Sequence, residues 1–384
     1  MFKAFIGHSN DPDSAMAISE VLEECKHSLE GQIPQAGILF TAIDYDHASI
    51  LEQIRQAFPG IELIGGTTNG ELSSVLQFQQ DSLTLMLFVA DRIKIRAGVG
   101  YNASNNPNQA ARDAIAQARA KSNDSPKLCL TFPESLTCSG AEILQGLQES
   151  LGDKIPIVGG GTADDNTLDQ TYQFFGDRVL SDAIPVLLFF GDLVVSHGVA
   201  SGWEPITPKS VVTKAQSNVV YEIEGQRALD FYQKYLSKDR FVTGHMTHPL
   251  AVVEEERYYM RSLSSYDPES GSVSFFADIP DRATVQITYA SRENVLAASA
   301  ASLQDALSNY PGEQPTAALL VSCSARRRLL GTLASQEYAL IENHLPQGLP
   351  CCGFYAYGEI APLKQQSQTK FHNQTFVTLL IGES

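Results

Sequence analysis

The sequence "PGIELIGGTTNGELSS" (Pro59–Ser74) runs from an apolar strand into a glycine-rich turn. Two later stretches repeat this plan: "KIPIVGGGTADDN" (Lys154–Asn166) and "LPCCGFYAYGEIAP" (Leu349–Pro362), where Gly353 stands in place of the paired glycines. Each copy follows another apolar strand and a helix whose apolar residues recur at helical spacing. The repetition predicts strand–helix–strand units that end in glycine-rich turns.

A longer repeat, with an offset of about 190 residues, predicts a tandem duplication. We expect two layered α/β halves with mixed sheets flanked by helices, because some connections are tight and others are helical crossovers. The halves would be an N-terminal domain over residues 1–220 and a C-terminal domain over residues 221–384. The matching positions are Asp91 and Asp281, Gly159 and Gly353, and Gly191 and Gly382.

The composition excludes several classes of protein. A net charge of −17 in 384 residues argues against sequence-independent binding to nucleic acid or to an anionic membrane surface. Six cysteines without a CxxC pair are not expected to form a disulfide scaffold or a structural zinc site. The N-terminus turns polar after a few residues, and the apolar runs are too short to span a membrane. We therefore expect a soluble, cytoplasmic protein.

The glycine-rich turns have both a structural and a functional interpretation. Glycine is favoured where a sharp turn after a strand needs positive φ. In open α/β sheets, ligands also bind outside the carboxyl ends of strands, where glycine lets them approach the backbone. The candidate ligand-binding residues of these turns are Gly65, Gly66, Thr67, Gly159, Gly160, Thr162 and Gly353.

Over nearly its whole length the sequence resembles the FIST family, named for F-box and intracellular signal transduction proteins. The resemblance is carried, in order, by "IGGTTNGELSS", "PIVGGGTADD", "NVVYEIEGQRALDFYQKYL", "YYMRS", "CSARRRLLG" and "GFYAYGEIAP". It implies an N-terminal and a C-terminal FIST domain in a small-ligand sensory protein. The implied ligand is an amino acid, or haem in a stand-alone branch that senses nitric oxide. The implied partner is a separate signalling protein, such as a histidine kinase or a cyclase.

The resemblance places an arginine of the family pattern C-x-x-R at Arg326, after the strand "AALLVSC". A guanidinium there could bind a ligand carboxylate through two parallel hydrogen bonds. Alternatively, Arg326 pairs with Glu359 or Asp281 and holds the turn. Arg261 in "YYMRS" also matches a family position, and is either a ligand contact or a charge at a strand edge.

Other side chains near the turns are candidates with the same ambiguity. Glu71 and Glu359 recur at matching turns, as do Asp164 and Asp165, and each could receive a ligand ammonium or cap backbone N–H groups. Two tyrosines alternate along one strand, so one is expected in the core and one towards the pocket: Tyr355 and Tyr357.

The arginines that follow Arg326, and the cysteines near the turns, are expected to have roles other than specific ligand binding. Arg327 and Arg328 are expected to be solvated charges at a helix start, or contacts for an acidic partner. Cys323, Cys351 and Cys352 are expected to be small buried thiols, since a reactive thiolate needs a basic neighbour. Cys323 is nevertheless kept as a candidate ligand contact because it precedes the arginine motif.

If the protein binds haem b, a histidine is the expected axial ligand, since imidazole commonly ligates haem iron. "GHMTHP" places two of them three residues apart in a loop. The order in which we would test them is His245 and His248, then His197 and His344.

No P-loop, GxGxxG or GxSxG motif occurs, which argues against an enzyme. A ligand-independent docking scaffold and an uncharacterised α/β enzyme remain the alternatives to a non-catalytic sensor.

Overall fold

Three α/β units follow one another along the chain, and an antiparallel domain is inserted into the third. The computed structural model describes residues 1–236, 247–254 and 257–384. Each unit starts with a long strand and a helix, and continues through a parallel strand–helix–strand and a short hairpin. A second long strand ends the unit and pairs in the same sheet as the first parallel strand.

The first two units have the same order of elements. The first comprises β1 (Phe2–Ser9), α1 (Ser14–Leu29), β2 (Ala36–Thr41), α2 (His47–Ala57), β3 (Glu62–Thr67), β4 (Glu71–Ser73), β5 (Gln77–Gln79) and β6 (Leu83–Ala90). The second comprises β7 (Lys94–Tyr101), α3 (Pro107–Arg119), β8 (Pro126–Thr131), α4 (Gly140–Leu151), β9 (Ile157–Gly160), β10 (Gln173–Phe175), β11 (Arg178–Leu180) and β12 (Ala183–Phe190).

The third unit begins with β13 (Leu193–Ala200) and resumes after the inserted domain. The inserted domain comprises β14 (Glu204–Pro205), β15 (Ser210–Gln216), β16 (Val219–Ile223), β17 (Gln226–Arg227), α5 (Ala228–Tyr235), β18 (Leu250–Glu254), β19 (Arg257–Arg261), β20 (Leu263–Tyr266), β21 (Val273–Phe275) and β22 (Thr284–Tyr289). The rest of the unit is α6 (Arg292–Ser308), β23 (Ala317–Cys323), α7 (Ser324–Leu330), a 3₁₀ turn (Gly331–Leu333), α8 (Ala334–Glu342), β24 (Cys351–Ala356), β25 (Glu359–Pro362), β26 (Thr369–His372) and β27 (Phe376–Glu383).

Each hairpin leaves its own unit and completes the sheet of a neighbour. The hairpin β4–β5 pairs with β24 of the third unit, β10–β11 pairs with β3 of the first, and β25–β26 pairs with β9 of the second. The exchange is cyclic, so each of the three main sheets contains strands from two units. The three units are therefore interlocked around a pseudo-threefold axis.

The inner faces of the three sheets share one hydrophobic core, and the helices cover their outer faces. Phe40 of the first unit lies 4.9 Å from Phe132 of the second and 4.3 Å from Phe354 of the third, between ring centroids. Several helices start at side-chain caps, such as Asp13 before α1 and Ser139 before α4. The arrangement resembles a three-sided prism with helices outside.

Glycine is required in the turns for a reason that differs from the expected positive φ. Gly65 and Gly353 do not have positive φ, and the φ of 159° at Gly159 is extended backbone. A Cβ atom on Gly65 would lie 1.9 Å from the carbonyl oxygen of Leu39 on the neighbouring strand. Gly159 and Gly353 would meet neighbouring carbonyl oxygens in the same way. These glycines allow close approach of two strands, so the expectation of positive φ at these three positions was wrong.

The α/β class, with mixed sheets flanked by helices, is confirmed. The repetition comprises three units, whereas the sequence pattern had suggested two halves. The offset of about 190 residues relates the second unit to the third. Asp281 lies in the inserted domain and is not the counterpart of Asp91, which lies between β6 and β7. Residue 220 falls inside β16, and the division at that point stays a prediction.

Among the described residues, none of the helices combines the length and the apolar character that a membrane span requires.

Candidate functional site

The three glycine-rich turns meet at the carboxyl ends of their strands, on the pseudo-threefold axis. Each turn donates one backbone hydrogen bond to the next, so the three form a closed ring. These bonds run from Asn69 N to Tyr355 O (3.0 Å), from Ala163 N to Thr67 O (2.8 Å), and from Tyr357 N to Gly161 O (3.0 Å). The ring brings side chains from all three units to one place.

The first residue of each exchanged hairpin is a buried polar residue that ties the hairpin in place. Glu359 accepts hydrogen bonds from the amide (3.0 Å) and hydroxyl (2.8 Å) of Thr375. Gln173 occupies the equivalent position in the second unit and accepts a bond from the amide of Ala183 at 3.1 Å. Burial raises the pKa of Glu359 to about 8, despite these bonds. This geometry favours the capping role over a direct ligand contact.

Glu71 is the first residue of the remaining exchanged hairpin, and it belongs to a buried series of hydrogen-bonded polar side chains. Its carboxyl accepts hydrogen bonds from the hydroxyls of Thr68 and Ser82. The imidazole of His8 lies 2.9 Å from the Ser82 Oγ and 2.6 Å from the Ser73 Oγ. Burial raises the pKa of Glu71 to about 7 and lowers that of His8 to about 4. These hydrogen-bonded side chains are enclosed within the protein, so the series fits a structural role.

Arg326 is fully buried and bonded within the protein. Its Nε and Nη2 donate to Glu337 Oε1 at 3.1 and 2.7 Å, and Nη2 also donates to Ser299 Oγ at 2.7 Å. Tyr355, also buried, donates its hydroxyl to Glu337 Oε2 at 2.7 Å. The carboxylate partner is thus Glu337, not Glu359 or Asp281. This arrangement favours the structural alternative for Arg326 and leaves its ligand role a prediction.

The next residue, Arg327, points to the axis instead. Its Nη1 donates to the backbone oxygen of Asn69 and to Asp165 Oδ1 at 3.1 Å. The Arg327 side chain is 13% exposed and that of Asp165 is 44% exposed, so the ion pair is open to solvent on one side. We call the side chains gathered here the axial cluster: Asn69, Asp164, Asp165, Ser324, Arg327 and Tyr357.

Asp164 organises the loop that carries Asp165. Its carboxylate accepts a bond from the Tyr357 hydroxyl at 2.6 Å, and others from Thr167 and the amides of residues 168–170. Burial alone would raise the pKa of Asp164, but these hydrogen bonds lower it below its usual value. Asp164 therefore remains ionised and holds the loop over the axis.

Asn69 lies beneath the ion pair and is 1% exposed. Its Nδ2 donates to Ser324 Oγ at 2.8 Å. Its Oδ1 is buried and, among the described residues, has no hydrogen-bond donor. A buried amide oxygen without a donor is unfavourable, so a hydrogen-bond donor that reached this atom would be stabilised.

Three exposed carboxylates lie beside one another at the axial cluster, to which Asp165 itself belongs, and we call these three the aspartate rim: Asp44, Asp81 and Asp165. The pKa of Asp81 is raised by burial, and then by the neighbouring charges of Asp165 and Asp44, while Arg327 opposes the shift. The Tyr45 hydroxyl fixes one side of the rim by donating to the backbone oxygens of Asp11 (2.7 Å) and Asp81 (3.1 Å).

Two other predicted residues are not members of the axial cluster. Cys323 is buried behind Glu359, and burial raises the pKa of its thiol well above the usual value. Arg261 lies in the inserted domain, where its guanidinium donates to the backbone oxygens of Asp278 (2.9 Å) and Phe371 (2.8 Å). The hydrogen bonds of Arg261 therefore go to the inserted domain and to β26.

The four histidines do not converge either. His245 lies outside the described residues. His248 is 9% exposed, its Nδ1 lies 3.0 Å from the Thr247 hydroxyl, and its ring packs near Tyr289. His197 is buried, and His344 is an exposed residue at the end of α8. In the described part of the chain, no group of His, Cys, Asp and Glu side chains is arranged to hold a metal ion.

Sequence reasoning missed Asn69, Asp44, Asp81 and the role of Arg327. The sequence did indicate that Asn69 lies in a turn, because asparagine followed by glycine, as in "TTNGE", is typical of turns. Asp44 and Asp81 lie on separate loops of the first unit and Arg327 follows a strand of the third, so no local pattern connects them.

The comparisons with known proteins identify the family. The FIST N domain matches residues 35–226 and the FIST C domain matches residues 228–362. An uncharacterised protein of Methanocaldococcus jannaschii is 27% identical over 237 residues, which cover 57% of this chain and 44% of that protein. The chain thus spans less than half the length of this relative. An uncharacterised protein of Mycobacterium bovis is 22% identical over 93% of this chain and 94% of its own.

Two solved structures are similar at a lower level. A cyanuric acid hydrolase from A. caulinodans has a TM-score of 0.39 and 9% identity, with 100% of this chain and 99% of that chain covered. A chorismatase has a TM-score of 0.37 and 9% identity, with 99% of this chain and 98% of that chain covered. FIST domains are small-ligand sensory domains of signal transduction. Both parts of the FIST architecture are present in order, and the chain belongs to the FIST family.

Proposed function

We propose that this protein is a non-catalytic sensor that binds an α-amino acid at the axial cluster. It would report binding to a separate partner, such as a histidine kinase or a cyclase. The observation that supports the proposal is the half-open ion pair between Arg327 and Asp165, at 3.1 Å. It places a guanidinium and a carboxylate side by side at the carboxyl ends of the strands.

The chemistry of the cluster matches the two charged groups of an amino acid. The Arg327 guanidinium has a planar fork of donors that suits an α-carboxylate. The carboxylates of the aspartate rim suit an α-ammonium. A bound amino acid would exchange one internal ion pair for two charge-assisted contacts, each to a different unit.

The mechanism of signalling follows from the interlocked units. Asn69 belongs to the first unit, Asp165 to the second and Arg327 to the third. A ligand that touches all three favours the arrangement in which they are close. Binding then shifts the population towards that arrangement and changes the surface that a partner contacts.

The test is a thermal-shift panel of the twenty amino acids against the purified protein. We expect one or a few amino acids to raise the unfolding temperature in a saturable way, because they bind the folded state. No stabilisation by any amino acid would overturn the proposal and favour the ligand-independent scaffold.

Haem is the second candidate, and the described residues fit it less well. Ligation by histidine, the candidate ligand here, needs an imidazole nitrogen that is open to iron. His248 is the described member of the expected pair, and it is buried, with Nδ1 bonded to Thr247 and the ring beside Tyr289. A visible absorption spectrum with added haem tests this candidate. A saturable Soret band that is lost in His248→Ala would support haem over an amino acid.

A further inference from the structure

The axial cluster and its rim hold more negative than positive charge. The rim supplies three carboxylates, whereas Arg327 is the described cation that pairs with Asp165 and opposes the raised pKa of Asp81. A neutral amino acid, with one positive and one negative group, would leave this excess uncompensated. The charge balance therefore points to a ligand with a net positive charge.

The three carboxylates are held near one another by the fold. They come from loops after β2, before β6 and after β9, and Tyr45 ties the loops of Asp11 and Asp81 together. The charges of Asp44 and Asp165 both act on the Asp81 carboxyl. These like charges repel one another, and a bound cation would relieve the repulsion.

A second feature points to a hydrogen-bond donor in the ligand. The Oδ1 atom of Asn69 is buried and has no donor among the described residues, and the Asn69 backbone oxygen is bonded to Arg327. An ammonium or guanidinium group can donate to this oxygen and to a rim carboxylate at the same time. A carboxylate or an alkyl group cannot do so.

We propose that the axial cluster selects amino acids whose side chain carries a second positive charge, the chemistry of lysine, ornithine and arginine. This inference rests on the proposed function, in which Arg327 takes the α-carboxylate. One rim carboxylate then takes the α-ammonium, and the other rim carboxylates and the Asn69 amide oxygen take the side-chain cation.

The test compares L-lysine with L-norleucine by calorimetric titration of the full chain, because norleucine lacks only the side-chain ammonium. We expect lysine to bind at least about tenfold more tightly. Asp81→Asn should weaken lysine binding by about tenfold and norleucine binding by less than about twofold. Asparagine tolerates the left-handed φ of 54° at residue 81, so this variant keeps the loop. Asp281→Asn, at an exposed aspartate of the inserted domain, is the matched control and should change neither affinity.

The outcomes separate this inference from the proposed function. Equal affinities for lysine and norleucine, both lost in Arg327→Ala, would overturn the selectivity and keep the amino-acid sensor. Tighter binding of L-glutamate than of L-lysine would overturn the selectivity as well. Absence of binding by every amino acid tested would overturn both.

Discussion

The guanidinium of Arg327 lies 3.1 Å from the carboxylate of Asp165, although 162 positions separate them in the sequence. The two residues come from different units, and the cyclic exchange of hairpins brings them together. Arg326, one residue earlier, is instead fully buried against Glu337. Adjacent residues of one helix thus have separate roles.

Arg327→Ala should abolish stabilisation by an amino acid and cost little in the ligand-free protein. The ion pair is partly exposed, so we expect a loss of about 1 kcal/mol or less in the free energy of unfolding. Thermal shift with and without ligand measures both effects. Arg328→Ala, at the exposed neighbour in the same helix, is the matched control and should keep the ligand response. An unchanged response in Arg327→Ala would remove this residue from the site.

Arg326→Ala should destabilise the protein strongly, because it leaves the Glu337 carboxylate buried without its cation. We expect a loss of about 3–5 kcal/mol in the free energy of unfolding, measured by denaturant titration. Replacing both partners, as in Arg326→Met with Glu337→Leu, should recover part of the loss, since no buried charge remains. A loss below about 1 kcal/mol for Arg326→Ala would contradict the structural role.

Glu359→Gln should make stability less dependent on pH. Burial raises the pKa of Glu359 in the folded protein to about 8, from an ordinary value of 4.5. The folded state therefore binds a proton that the unfolded state releases, so this contribution to stability is fully present below pH 4.5 and is lost as pH rises through about 8. Glutamine cannot ionise, and it already occupies the equivalent position as Gln173.

The measurement for Glu359→Gln is the free energy of unfolding between about pH 5 and pH 9. The slope against pH should be shallower than in the wild type. Glu313→Gln, at an exposed glutamate, is the control and should leave the slope unchanged. An unchanged slope in Glu359→Gln would show that the carboxyl is already ionised in the folded protein over this pH range.

Gly65→Ala should destabilise the first unit, because its Cβ would lie 1.9 Å from the Leu39 carbonyl oxygen. We expect a loss of at least about 2 kcal/mol, since two paired strands must move apart. Gly312→Ala is a suitable comparison, because the nearest atoms there belong to the ring of Tyr310, a side chain that can turn. Equal stabilities of the two variants would contradict the close approach at Gly65.

Residues 1–226 and 227–384, produced as separate chains, should not fold alone but should associate when expressed together. The hairpin β4–β5 of the first piece completes the sheet of β24, and β25–β26 of the second completes the sheet of β9. Each piece alone would expose unpaired strand edges. Cooperative unfolding of the isolated first piece as a monomer would contradict this interlocking.

The sequence predicted the strands, the helices and the glycine-rich turns, because apolar periodicity and turn residues are local signals. The local pattern could not predict which sheet each hairpin would join, since the pairing of β4 with β24 is a contact between distant residues. The same limit explains why the roles of the two arginines could not be predicted. The local sequence does not indicate that Arg326 pairs with Glu337 while Arg327 pairs with Asp165. The family pattern predicted a ligand contact at Arg326, which is the buried residue of the two.

The most direct test of the central claim locates the ligand by hydrogen exchange. The full chain would be exchanged with and without a saturating amino acid found in the thermal-shift panel, and followed by mass spectrometry. We predict added protection in the loop 164–170, in the turn 67–71 and in the helix Ser324–Leu330, one segment from each unit. Protection confined to the inserted domain around His248, or no change at the axial cluster, would contradict the account.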